Sequence, residues 1–270
     1  MADTIKSVEL HYGSVALCEK ILAALKAEGV DVEHLTSEIL IPLDQIHTRG
    51  WGSTVEHVQM IDFTSAMRVL DVSCGISGPV RYIASKFGCH VTGIDLTEEF
   101  CRAATMLTQR CDLSDRVNFV RGDVLGLPFG DGSFAIVWCQ NVTMNIEDRA
   151  RLYGEVHRVL RPDGRFTFTE YTAGPAGDPI YPPPWARDPS ISFLVSRDEM
   201  LATLEWAGFR IITLGDDSKV VDKGSQPTRT GPIGGWLVLG EDYPERVANA
   251  RKSFAENRLA YVKLVAERID

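Results

Sequence analysis

No run of roughly 18 to 20 apolar residues occurs in the chain, so it offers no segment of the length a membrane-spanning helix needs. It contains no C-x-x-C pair and no Cys/His cluster at metal-ligand spacing. Its six cysteines (Cys18, Cys74, Cys89, Cys101, Cys111, Cys139) and six histidines lie scattered. This argues against a zinc site or a disulfide framework. The expectation is no metal, and a reducing, cytoplasmic setting in which Cys acts as a small buried hydrophobe. Positive charge is scarce: 28 Lys and Arg stand against 37 Asp and Glu, a net charge of −9. A partner chosen by bulk positive charge, such as nucleic acid or an anionic membrane, is not expected. A small anionic substrate held by one or two local arginines stays open. The start, MADTIKSVELHYGS, lacks a positive region followed by an apolar core and does not read as a secretory signal.

What is present is ordinary for a soluble globular protein: 270 residues, 44% hydrophobic and 24% charged. Residues 14–28 read as an amphipathic helix ended by Gly29. A loop around LDQIHTRGWGST precedes a second helix. From Met67 onward, short β-rich runs alternate with helical segments. Strands are expected at 69–72, 90–94, 117–120, 134–139, 165–171, 209–214 and 236–239. Helices are expected at 80–87, 98–110, 149–160 and 196–208, the last opened by a capping box at Ser196 and Glu199. This alternation implies βαβ units and a mostly parallel sheet. The Pro- and Gly-rich stretch 173–190 reads as a long functional loop, GSQPTRTGPIGG as a second loop, and 243–269 as one amphipathic helix.

The chemistry concentrates at VLDVSCGISG, residues 69–78, where a strand runs through an acid into a glycine-containing bend before a helix. Such bends let backbone N–H groups approach a nucleotide ligand. Asp95 ends the second strand, where a carboxylate accepts hydrogen bonds from a ribose diol, and Asp123 follows the third. The first turn is not G-x-G-x-x-G. Its acid, Asp71, would repel a pyrophosphate but would suit an amino or sulfonium group. Each residue also has a plainer reading. Asp71 fits a buried strand residue, Asp95 a helix N-cap, Asp123 a turn aspartate, and Gln140, Asn141 and Asn145 fit loop polars or caps.

Taken together, VLDVSCGISG, VTGIDLTEEF, FVRGDVLGLPF, DGSFAIVWCQNVTMNI and RVLRPDGRF resemble the motifs of class I S-adenosylmethionine-dependent methyltransferases of the small-molecule type. More loosely, LDQIHTRGWGST is similar to a segment of glycine/sarcosine and phosphoethanolamine methyltransferases and related bacterial enzymes. The resemblance implies an α/β fold. Its Rossmann-like, seven-stranded, mostly parallel sheet would be flanked by helices, with the last strand antiparallel and an N-terminal helical cap. It implies one domain over 1–270: cap 1–60, core 61–172 and 196–240, lid loop 173–195, C-terminal helix 241–270. Ser73 and Gly75 would form the bend under the methionine part, with Asp71 orienting it. Asp95 would take the ribose, with Leu96 against the adenine. Asp123 and Val124 would flank the adenine edge, and Gln140 the methionine end. Ser73 stands where the family usually has glycine.

The implied reaction is in-line methyl transfer from S-adenosylmethionine to an N, O, S or C atom of a small molecule, leaving S-adenosylhomocysteine, without metal. On the acceptor side, His47 and Asn141 are candidate catalytic residues. Gln45, Arg49, Asn145, Tyr171 and Trp185 are candidate substrate contacts, and Trp51, Trp138 and Tyr181 candidate members of an aromatic wall. A homodimer is a possible assembly. Alternatives are a non-catalytic S-adenosylmethionine-binding protein and an NAD-dependent oxidoreductase on a similar fold.

Overall fold

The computed structural model describes residues 7, 11–12, 16–219 and 233–270. Most of the GSQPTRTGPIGG segment lies outside the described residues. Seven strands form one sheet: β1 Arg68–Val72, β2 His90–Asp95, β3 Val117–Arg121, β4 Phe134–Gln140, β5 Leu160–Ala173, β6 Phe209–Asp216 and β7 Leu259–Arg268. Their spatial order is β3-β2-β1-β4-β5-β7-β6. Pairings from β3 through β5 are parallel, and β7 runs antiparallel to both β5 and β6.

The helices are α1 Leu17–Ala27, α2 Ser37–Asp44, α3 Gly50–Val58, α4 Gly78–Phe87, α5 Glu98–Arg110, α6 Arg149–Val159, α7 Arg197–Trp206, α8 Gly235–Leu239 and α9 Tyr243–Ala255. Local chemistry sets their ends. Thr36 accepts from the Ile39 N–H to open α2, Asp148 from Arg151 to open α6, and Ser196 from Glu199 to open α7. Gly88, at φ 72°, closes α4 in the left-handed conformation.

Two expectations are corrected. Residues 236–239 lie in a short helix, α8, and not in a strand. The tail 243–269 is not one helix, so the C-terminal helix expected over 241–270 ends at Ala255 and β7 follows. The sheet still has seven strands, but its seventh and antiparallel strand is Leu259–Arg268.

Alternation along the strands divides the core. Leu70, Val72, Val137 and Cys139 face one layer, shared with Leu152, Val156 and Leu204 of α6 and α7. Val69, Val91, Ile136 and Trp138 face the other, shared with Val80 and Ile83 of α4. A third cluster joins α1 and α2 (Leu17, Ile21, Leu40, Leu43) to Phe100, Ala103 and Leu107 of α5 and Val238 of α8. The N-terminal helices are thereby fixed beside the bend after β1. Gly78 permits this close approach, because a Cβ there would lie 2.5 Å from the Asp44 and Gln45 side chains.

Candidate active site

Strand order reverses between β1 and β4, and a cavity of about 600 Å³ opens beyond the carboxyl ends of the strands there. Open α/β sheets bind ligands at this switch point. Along one side the cavity is lined by Asp71, Ser73 and Gly75 after β1, Asp95 and Leu96 after β2, Asp123 and Val124 after β3, and Gln140 and Asn141 after β4.

The bend is tightly built. Ser73 and Gly75 both have positive φ, 55° and 53°. A Cβ added at Gly75 would meet nothing within 4 Å, so this backbone borders open space. The Gly75 N–H donates to Asp95 Oδ2 at 2.9 Å, and the Thr97 N–H to Asp95 Oδ1 at 2.8 Å. Each carboxylate oxygen keeps a further lone pair for a ligand hydroxyl. Burial pushes Asp95 above the usual carboxylate range, opposed by those backbone donors. Asp71 is pushed well above it by burial, with the Asp95 charge adding to the rise. Among the described residues nothing donates to the Asp71 carboxylate. Gln140 accepts from the Trp138 indole N–H at 3.0 Å, while its buried Nε2 has no partner. An unpaired acid, an orphaned amide donor and an open glycine backbone fit a ligand with an amino group, a carboxylate and a ribose.

At the other end, Tyr171, Trp185 and Met144 belong to one apolar cluster and share the lining with Tyr12, Pro184 and Leu239. The Tyr12 hydroxyl donates to Asn145 Oδ1 at 3.0 Å, and Asn145 Nδ2 to the Trp185 and Ile191 carbonyls. The Asn141 amide is bonded on both sides, donating to Thr48 Oγ1 at 2.8 Å and accepting from the Tyr261 hydroxyl at 2.7 Å. The Thr48 and Tyr171 hydroxyls bond each other. His47 lines the cavity; its Nε2 meets the Gly50 carbonyl and the Thr54 hydroxyl at 3.0 Å each. The carbonyl requires Nε2–H, which leaves Nδ1 as the nitrogen able to take a proton. Burial lowers this imidazole to about 4.

Gln45 and Arg49 do not line the cavity. Gln45 is buried between Asp44 and Thr54, and Arg49 is ion-paired with Glu56 and Asp217. Of the aromatic wall, Trp51 packs edge-on against Tyr82, and Trp138 is fully buried against His57. Tyr181 packs behind Tyr171 and Trp185. Tyr12, Asp44, Ile46, Phe100, Met144, Pro184 and Leu239 were not anticipated. They come from segments far apart in the chain, and their convergence has no local sequence signal.

Residues 70–168 match a family described as a methyltransferase domain. A sterol 24-C-methyltransferase of Neurospora crassa is 30% identical over 205 residues, covering 72% of this chain and 52% of that protein. A glycine/sarcosine/dimethylglycine N-methyltransferase of Actinopolyspora halophila is 32% identical over 129 residues, 48% of this chain and 23% of that protein. The chain thus spans about a quarter to a half of the curated relatives it matches. Among solved structures, a phosphoethanolamine N-methyltransferase of Haemonchus contortus superimposes with a TM-score of 0.69 at 16% identity. The match covers 95% of this chain and 61% of that one. At that identity the likeness is one of fold.

Proposed function

We propose that the methyltransferase domain matched at residues 70–168 makes this chain an S-adenosylmethionine-dependent methyltransferase acting on a small molecule. The observation that supports this best is the convergence of Asp71, Gly75, Asp95, Asp123 and Gln140 on one cavity at the sheet's switch point. The sulfonium nucleoside would supply an already activated methyl group. Asp71 would receive its amino group, Gln140 Nε2 its carboxylate, and Asp95 the ribose hydroxyls. Leu96 and Val124 would pack against the adenine, with Asp123 at its amino edge.

This chain's own contribution is then alignment and exclusion of water. Asn141, bonded on both sides, acts as a positioning residue that fixes the Tyr171 ring through Thr48. His47 is neutral at pH 7 and too weak a base to deprotonate an ordinary hydroxyl before the methyl is transferred. Its Nδ1 would serve an acceptor that becomes strongly acidic once methylated.

The wider reading is one domain with an N-terminal cap over 1–60 and a lid over 173–195. Unpaired cysteines among the described residues support a cytoplasmic setting, and the net charge of −9 supports no nucleic-acid partner. A homodimer would be sought at exposed Trp206, Ile212 and Leu214, with light scattering as the test.

Calorimetric titration of S-adenosylhomocysteine tests the cofactor. Wild type is expected to bind, and Asp95→Ala to bind roughly ten- to a hundredfold more weakly, the value of one or two charge-assisted hydrogen bonds. A retained melting transition separates lost binding from lost fold. No binding to wild type would sink the methyltransferase reading.

A further inference from the structure

Six of the described residues lining the cavity are acids: Asp44, Asp71, Asp95, Asp123, Glu147 and Asp148. None is a lysine or an arginine. Three arginines stand nearby, outside the cavity lining. Arg81 is fully buried, paired with Asp44 at 2.8 Å and bonded to the Ile76 carbonyl at 2.7 Å. Arg149 donates to the Phe193 carbonyl. Arg246 donates to the carbonyls of Pro184 and Leu239 and to Asp242. Each keeps a buried Nε–H without a partner, but none of the three is among the residues that line the cavity.

The acceptor end is apolar and aromatic, formed by Tyr12, Met144, Tyr171, Pro184, Trp185 and Leu239. Both N–H groups of Asn145 are used by the Trp185 and Ile191 carbonyls, and Asn141 gives one of its two to Thr48. Among the described residues no group of three or more His, Cys, Asp or Glu side chains is placed to hold a metal ion. Burying an anion against this wall removes its water, and no described lysine or arginine lines the wall to supply a counter-charge from the protein.

Resting on the methyltransferase reading, we propose that the methyl acceptor is an uncharged, largely apolar molecule. It carries no carboxylate, phosphate or diphosphate group, and aromatic and aliphatic packing holds it in place. The selection against anions is electrostatic, while shape selects among neutral molecules.

The test uses the full chain saturated with S-adenosylhomocysteine, which lacks the sulfonium charge that would itself attract an anion. Two ring-matched probes, 2-naphthol and 2-naphthoate, are titrated at pH 7.5. Naphthol is expected to bind at least about tenfold more tightly than naphthoate, a difference of about 1.4 kcal/mol. Equal or tighter naphthoate binding overturns the proposal. So does failure of naphthol to bind a protein that does bind S-adenosylhomocysteine. Failure of S-adenosylhomocysteine itself to bind would instead strike the cofactor reading. Met144→Lys places an ammonium in the acceptor wall and is expected to reverse the order of the probes. An unreversed order in a Met144→Lys protein that melts as wild type does also overturns the proposal. If that variant does not fold, the native comparison decides.

Discussion

Ser73 and Gly75 share a left-handed backbone that costs them differently. Glycine adopts φ near +55° freely, whereas a residue with a Cβ loses about 1–2 kcal/mol there. Ser73 bears that cost at the bend under the cavity. Ser73→Gly relieves it but returns about 0.4–1 kcal/mol of freedom to the unfolded chain. The expected net gain is about 0.5–1 kcal/mol in denaturant titration. Gly75→Ala runs the other way. Its Cβ meets no neighbour, so the loss should be the conformational cost less the same unfolded-state term, a net of about 0.5–1 kcal/mol. That same Cβ enters the space proposed for the cofactor, so affinity for S-adenosylhomocysteine should fall as well. A stable Gly75→Ala with unchanged affinity would show that the bend does not approach the ligand.

Among the elements, β7 matters most for its position, because it joins β5 and β6 along nearly its full length. A chain ending at Ala255 would leave β6 with no neighbour and strip one edge of β5. It is expected to lose the cooperative unfolding transition seen by circular dichroism; a melt within a few degrees of wild type would refute this. The same position explains why β7 was not legible in the sequence. It is buried on both faces, Leu259, Tyr261, Val262, Leu264, Val265 and Ala266 alike, so period-two alternation is lost. Val262 and Val265 then mimic a helical spacing. The four apolar residues 236–239 were equally ambiguous. By contrast, β1 to β4 and α4 to α6 could be read closely from alternation, turn glycines and caps. The site divides in the same way. Asp71, Gly75, Asp95 and Asp123 were visible because strand ends fix them locally. Tyr12, Met144, Pro184 and Leu239 reach the cavity only through docking of distant segments. Gln45 and Arg49 looked like ligand contacts because a sequence does not show that Thr54, Glu56 and Asp217 already bind them.

Over the whole molecule, burial has displaced two sets of titrating groups in opposite directions. His11 and His47 are lowered to about 4, and His57 well below 6.5, chiefly by burial. Their neutral forms contribute stability that is full above 6.5 and is lost as pH falls toward 4. Asp44 is raised to about 6 by burial against the pull of Arg81, and Asp71, Asp95 and Glu170 are raised by burial. A carboxyl raised in the folded state contributes stability that is full below its unfolded value and is lost as pH rises through its folded value. The two sets therefore oppose each other in mildly acidic solution while the cavity holds no cofactor. A bound amino group and ribose would hold Asp71 and Asp95 ionised and remove their share of that compensation. Binding should then release protons above pH 3.8 and up to the raised values, and affinity should weaken on acidification by up to about tenfold per pH unit for each proton linked. Calorimetry of S-adenosylhomocysteine at pH 6, in two buffers of different ionisation enthalpy, reads the released protons directly. Asp71→Asn should reduce the release. If wild type and Asp71→Asn release the same number, Asp71 does not receive the amino group, and its raised pKa reflects burial and the Asp95 charge alone.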